Sequence, residues 1–211
     1  MSVSRDQTLE WIKAVASVLS ENRDYLIQLD AAIGDADHGA NMDRGFKKGI
    51  EKMPEVADND IGTIFKAGGM NLLSTVGGAG GPWYGTFFLQ MGMKSAGKME
   101  LTLEDWTTAL EAGIAGVVMR GKAELGDKTM VDCLTPALSS LKQSLQDHQT
   151  FGAALANSAQ AAKDGMLATI PWVARKGRAS YLGERSAGHQ DPGATSSYLI
   201  LQAAADTWPN S

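Results

Sequence analysis

Cysteine is almost absent. Cys133 stands alone among 211 residues, which excludes an internal disulfide and any CxxC metal motif, and its ordinary place is as a small buried apolar residue. Excess positive charge is lacking as well. The formal net charge is −5, whereas a nucleic-acid surface needs clustered Lys and Arg. Those residues do gather at Arg120–Lys128 and Arg175–Arg185, but they are mixed with acids and glycines, so no nucleic-acid partner is expected. No secretory leader is visible, because Arg5, Asp6, Glu10 and Lys13 interrupt any apolar run near the start. Charge is missing altogether from Ala67 to Met93, a stretch long enough to span a bilayer. However, Gly77-Gly78-Ala79-Gly80-Gly81-Pro82 breaks it in the middle, and Asn71, Ser74, Thr75 and Gln90 are scattered through it. Two buried helices joined by a glycine loop fit better, so no membrane contact and a cytoplasmic location are expected. There is also no convincing alternating strand pattern, no GxSxG, no His-Glu-x-x-His and no Ser/His/Asp grouping.

What is present is helical. An apolar content of 44% and a charged content of 20% suit a globular chain that can bury a substantial core. Ser4 with Gln7 forms a capping-box pattern, after which Leu9, Ile12, Val15 and Leu19 recur at helical spacing. Asp24 to Gly34 reads as a short apolar connection. A second helix is predicted from about Asp37 to Met53, stopping at Pro54, and a third follows Asp58-Asn59-Asp60. A fourth starts at Pro82, and a fifth opens at Thr102-Leu103-Glu104-Asp105. The sixth carries Leu134 to Leu145, the seventh Phe151 to Met166, and the last covers Ala194 to Ala205. About eight helices with mostly short connections predict an all-α bundle in a single domain over 1–211.

The chemistry concentrates in Leu29-Asp30-Ala31-Ala32-Ile33-Gly34-Asp35-Ala36-Asp37-His38-Gly39-Ala40-Asn41. Asp30, Asp35 and Asp37 fall within eight residues, and acids this close repel one another unless a cation sits among them. The plain alternative is that Asp37 is an N-cap and Asp35 a turn former. The helical pattern starts just after Asp37, and helix starts attract phosphate. A calcium EF-hand is excluded, since the twelfth position counted from Asp35 is Phe46 rather than Glu. Mg²⁺ shared between carboxylates and nucleotide phosphates is the natural alternative. The glycine loop is no P-loop, and Trp83 stands where a third GxGxxG glycine would be. It serves either tight helix packing or a backbone cradle for a ligand.

Two further loops are candidates. One is Gly121 through Asp132, with Lys122, Lys128, Thr129 and Met130. The other runs from Lys176-Gly177-Arg178 to Gly188-His189-Gln190-Asp191-Pro192-Gly193. Solvated surface charge is the usual explanation of such runs, yet Lys176 and Arg178 could neutralise phosphate. The composite points to positioning and cationic stabilisation of phosphate charge, which phosphoryl transfer requires.

Together these stretches resemble the ADP-binding L subunits of dihydroxyacetone kinases. The resemblance rests on Gly34-Asp35-Ala36-Asp37-His38-Gly39, the glycine loop, Arg120-Gly121-Lys122-Ala123-Glu124 with Gly126-Asp127-Lys128-Thr129-Met130, and Ala174 through Ser196. It implies an eight-helix antiparallel barrel with the nucleotide, ADP or ATP, at one end. Asp30, Asp35 and Asp37 would hold two Mg²⁺ ions, with Arg178 meeting phosphate as the fourth catalytic residue. His38, Gly39, Ala40 and Asn41 would contact the nucleotide at the helix start, Ala79 and Gly80 would lie against it, and Gly121 and Met130 would face base and ribose. Asp191, Pro192 and Gly193 would close the pocket. Gly80 departs from relatives that often have serine there, which removes a hydroxyl contact to phosphate. The resemblance also implies a subunit that works with two others. A phosphohistidine protein of the phosphotransferase system (M-type) would recharge ADP from phosphoenolpyruvate, and a K-type subunit would hold dihydroxyacetone. The alternatives are an ATP-exchanging kinase subunit for another ketose such as erythrulose, and a nucleotide-binding coactivator that works with a transcription regulator.

Overall fold

Ser4 accepts a hydrogen bond from the Gln7 N–H at 3.2 Å, and the Gln7 side chain accepts one from the Ser4 N–H at 2.9 Å. This reciprocal cap starts α1 (Arg5–Glu21) in a computed structural model that describes residues 2–78 and 80–208. Eight more α-helices follow among the described residues: α2 (Arg23–Ile33), α3 (His38–Lys52), α4 (Ile61–Thr75), α5 (Gly80–Lys94), α6 (Leu103–Gly121), α7 (Val131–Gln146), α8 (Phe151–Ala168) and α9 (Pro192–Thr207). A second reciprocal cap, Thr102 with Asp105, opens α6. Short 3₁₀ stretches occupy Met53–Glu55 and Arg178–Ser186. The all-α expectation holds, with one small addition. Strands β1 (Ser2–Ser4) and β2 (Glu100–Thr102) pair antiparallel, Val3 opposite Leu101, and tie the start of α1 to the start of α6. No described helix is long and apolar enough to cross a membrane.

The stretch expected to be a connection, Asp24 to Gly34, is instead α2. Its buried positions are Leu26, Asp30 and Ile33, a helical stripe with a carboxylate at its centre. That acid interrupts the apolar periodicity by which a helix is recognised. The charge-free region resolves as expected into two helices, α4 and α5, which pack antiparallel through close approaches of small residues. A Cβ on Gly69 would lie 2.8 Å from the Gly85 carbonyl oxygen, so the backbones touch there without intervening side chains.

Helices neighbouring in space follow the chain from α3 to α9, and α1 packs on both α3 and α9, so the order of packing returns to its start. Trp11 sits at that meeting point. Its ring lies edge-on to Trp106 at 5.3 Å and to Phe65 at 6.0 Å, and tilted against Trp208 at 5.4 Å. Its indole N–H donates to the Ile200 carbonyl at 3.1 Å, while the Trp208 N–H donates to the Gln7 carbonyl at 3.0 Å. These rings bury a large apolar area and satisfy two of their polar ends. Trp11→Ala is expected to destabilise the fold by about 3–5 kcal/mol, read as a lower urea midpoint. An unchanged midpoint would show that the aromatic cluster is not central to stability.

Candidate functional site

Asp30 projects from the last turn of α2, and its Oδ2 accepts from the backbone N–H groups of Asp37 at 2.9 Å and His38 at 3.1 Å. Free N–H groups at the start of α3 are thus satisfied from seven and eight residues away. The Asp37 side chain makes no cap hydrogen bond, so the plain N-cap reading fails for it. The return of the chain is tight. A Cβ on Gly34 would sit 2.0 Å from Asp30 Oδ1, and Ala36 takes a left-handed φ of 61°. The outcome is a cluster in which one oxygen each from Asp30, Asp35 and Asp37 lies within 4.8 Å of the others. Asp30 is buried, Asp37 half-buried and Asp35 exposed. Arg178 shares its charge with this cluster through Asp35, at 3.0 Å; so exposed a pair contributes under about 1 kcal/mol. An all-oxygen, carboxylate-rich set open to solvent on one side suits a hard divalent cation such as Mg²⁺.

The cluster forms one end of a pocket enclosing about 850 Å³, part of it open to solvent. Asp30, Asp35, Asp37, His38 and Asn41 line it together with Gly80 and Met130. Arg178 reaches it from the 3₁₀ strap, and Asp191, Pro192 and Gly193 from the start of α9. Residues separated by more than 150 positions therefore meet at one place. Gly39, Ala40 and Gly121 are not among the lining residues. Gly39 is buried against α2, where a Cβ would be 2.1 Å from the Arg23 carbonyl oxygen. Ala40 is half-buried outside the lining. Gly121 stands behind Trp83, whose indole a Cβ would meet at 2.4 Å. Ala79 lies outside the described residues. The glycine loop takes both of the roles left open for it. Gly77, Gly78 and Gly80 line the pocket, Gly78 at a φ of 63°, while Gly81 is pressed on the Val76 carbonyl.

Behind the pocket wall runs a hydroxyl network. His38 Nε2 is 2.8 Å from Ser196 Oγ, which lies 2.7 Å from the Tyr84 hydroxyl, itself 2.8 Å from Ser197 Oγ. Burial holds the His38 pKa below the usual histidine value, against the upward pull of Asp30, Asp37 and Asp35. Burial pushes the Tyr84 phenol well up, so it stays protonated.

Lys128 is the departure from expectation in the Gly121–Asp132 loop. Solvated charge was the usual explanation for such runs, but Lys128 is 1% exposed. Its ammonium donates to the carbonyls of Ser186 at 2.6 Å, Trp172 at 2.9 Å and Ile170 at 3.4 Å. Burial lowers its pKa, and Asp191 opposes that. The bonds hold the strap against the end of α8, while Ala179 of the strap and Ala174 before it pack with Ile33 of α2. Asp191 caps α9 by accepting from the Ala194 N–H at 2.6 Å.

Comparison with known proteins decides what this arrangement belongs to. The DAK2 domain family matches residues 32–206. The ADP-binding subunit DhaL of the PEP-dependent dihydroxyacetone kinase of Escherichia coli (strain K12) is 49% identical over 97% of this chain and 98% of its own length. The chain belongs to the DhaL family. A Listeria innocua DhaL, the ADP-binding subunit of PEP-dependent dihydroxyacetone kinase 1, is 42% identical over 98% of both chains. Among solved structures, the dihydroxyacetone kinase from C. freundii in complex with AMP-PNP and Mg²⁺ superposes with a TM-score of 0.71 at 26% identity. That match covers 98% of this chain and 34% of the C. freundii chain, so this DhaL-family chain spans about a third of that protein's length.

Within this DhaL-family pocket, sequence reasoning missed Trp83 and Tyr84 and did not foresee the burial of Lys128. The signal for the first two was an aromatic pair directly after the glycine loop, noticed only as a break in a dinucleotide pattern. Lys128 gave no such signal, because nothing local shows three distant carbonyls converging on it.

Asp191 supplies a pH test of the site. Burial, with Asp132 and Asp30 nearby, lifts its pKa to about 7, against the Ala194 N–H and Lys128. The folded chain thus holds this proton more tightly than the unfolded one, whose carboxylates titrate near about 4. Stability from this group is present at low pH and is lost as pH rises from about 4 to about 7. Asp191→Asn, which keeps a capping oxygen, is expected to gain on the wild type across that window in thermal melts. Parallel pH profiles for the two proteins would show that the carboxyl is not perturbed.

Proposed function

We propose that this chain is the ADP-carrying subunit of a phosphoenolpyruvate-dependent dihydroxyacetone kinase, acting in the cytoplasm as one nucleotide-binding domain. The observation that carries the reading is the convergence of Asp30, Asp35 and Asp37 at the start of α3 in a pocket lined by the glycine loop. The end-to-end likeness to ADP-binding subunits supports it. In this role the chain receives a phosphoryl group on bound ADP from a phosphohistidine protein of the phosphotransferase system. It passes the group to dihydroxyacetone held on a K-type subunit.

The residues divide the work by chemistry. Asp30, Asp35 and Asp37 would hold Mg²⁺, two ions in this reading, and the metal supplies positive charge at the phosphate oxygens when bound. Asp30 also fixes the turn that aims the other two acids. The side chains of His38 and Asn41, which line the pocket at the start of α3, orient phosphate with the long-range pull of the helix N-terminus. Arg178, on its exposed side chain, swings between Asp35 and phosphate, adding charge where it develops during transfer. Asp191, Pro192 and Gly193 close the pocket from α9, while Gly80 lets the backbone approach closely.

Purified chain is expected to bind ADP only with Mg²⁺ present and to gain thermal stability from the pair, about 2.7 kcal/mol at a hundredfold excess over Kd. Asp35→Ala should leave the helical circular-dichroism signal intact and abolish phosphoryl transfer in an assay coupled to purified partner subunits. Transfer retained by Asp35→Ala would overturn the metal assignment. A wild type that draws phosphoryl from free ATP and not from the phosphohistidine protein would overturn the donor.

A further inference from the structure

Asn41 lines the pocket, is 7% exposed, and carries an amide whose two ends have opposite abilities. Its oxygen only accepts hydrogen bonds and its nitrogen only donates them. Which end faces a ligand therefore decides what the residue can bind, and a side chain outside the pocket decides it. Arg44, one turn further along α3, donates from Nη2 to Asn41 Oδ1 at 2.5 Å. A guanidinium has no acceptor, so the oxygen is the end that must meet it. Nδ2 then lies on the opposite side, toward Gly78, where a Cβ would be 3.8 Å from it and 3.6 Å from Asp37 Oδ2. Among the described residues no protein acceptor takes the Nδ2 protons.

The same guanidinium reaches a second element. Arg44 Nε donates to the carbonyl of Thr75 at 3.1 Å, the last residue of α4, just ahead of the glycine loop. Gly77 then passes over the contact, since a Cβ there would be 3.1 Å from Asn41 Oδ1 and 3.5 Å from Arg44 Nη2. One planar group thus holds both Asn41 and the start of the glycine loop, while Arg44 itself does not line the pocket. Were the amide turned over, its oxygen would face the Asp37 carboxylate and any phosphate, and like partial charges would repel in both cases.

We propose that Arg44 is a positioning residue for the phosphate end of the pocket, fixing Asn41 so that its amide N–H groups donate to a phosphate oxygen of the bound nucleotide. This role rests on the nucleotide-carrying function proposed above and deepens it by one residue. Arg44 acts through Asn41, not through its own charge.

A double-mutant cycle on the full chain, read by calorimetric titration with inorganic pyrophosphate and with ADP, each with Mg²⁺, tests this. Arg44→Met and Asn41→Ala are each expected to weaken both ligands about tenfold, the loss of one hydrogen bond to a charged acceptor. The double variant should be no weaker than either single one, because the two residues act as a unit. Arg44→Ala gives the same cycle where the methionine variant does not fold. In ¹H–¹⁵N spectra the Asn41 side-chain amide pair, identified by its loss in Asn41→Ala, should shift when pyrophosphate and Mg²⁺ are added to the wild type, and should stay in place in Arg44→Met. Affinities of Arg44→Met equal to the wild type overturn the positioning role. Losses that add in the double variant overturn it too, since Arg44 would then act on phosphate by charge alone. A wild type that binds neither ligand overturns the functional reading and the positioning role together.

Discussion

The hydrogen bonds from the Asp37 and His38 N–H groups to Asp30 Oδ2 join the end of α2 to the start of α3 across only four intervening residues. Bonds to a charged acceptor of this kind contribute about 1.5–3 kcal/mol each, enough to hold a turn that contains a left-handed Ala36. Every other feature of the acidic end follows from that junction. The turn can be this tight only because position 34 has no side chain, and its tightness returns Asp35 and Asp37 to the carboxylate that organises it. Asp37 is relieved of capping its own helix, so its oxygens stay free. A structural anchor and a carboxylate cluster are built from the same three acids.

The strap beside the acidic turn depends on a second buried charge. Lys128 fixes Ser186 on the strap and Ile170 and Trp172 beyond α8 by donating to all three carbonyls. A buried ammonium costs desolvation that such bonds offset. With its base fixed, the strap delivers Arg178 to the mouth, where its exposed side chain pairs with Asp35.

Much of this was legible in the sequence, and the exceptions share a cause. The helix starts at Ser4 and Thr102 and the runs of α3, α4 and α6 to α9 are local patterns, and they read correctly. The acids of the cluster were visible because all three crowd into one short stretch. The helix α2 was hidden by that same function, since Asp30 takes the central position of its buried stripe. Lys128 stood in a candidate stretch, but its burial was not legible, because it is decided by carbonyls more than forty residues away. Gly121 looked like a ligand contact, yet what it touches is Trp83. Pairwise fits of that sort have no periodicity to betray them.

The meeting of α1 with α9 has a consequence in time. Trp11 donates to Ile200 and Trp208 to Gln7, contacts separated by 189 and 201 positions. Contacts this remote in sequence require closure of nearly the whole chain before they reward it, which slows folding. On the ribosome, where the amino-terminal helix emerges first, Trp11 waits for the last helix before its indole N–H finds its acceptor. The nucleotide pocket waits too, because Asp191, Pro192 and Gly193 arrive on that same helix. Ring closure and site completion are therefore one late event in the life of the chain.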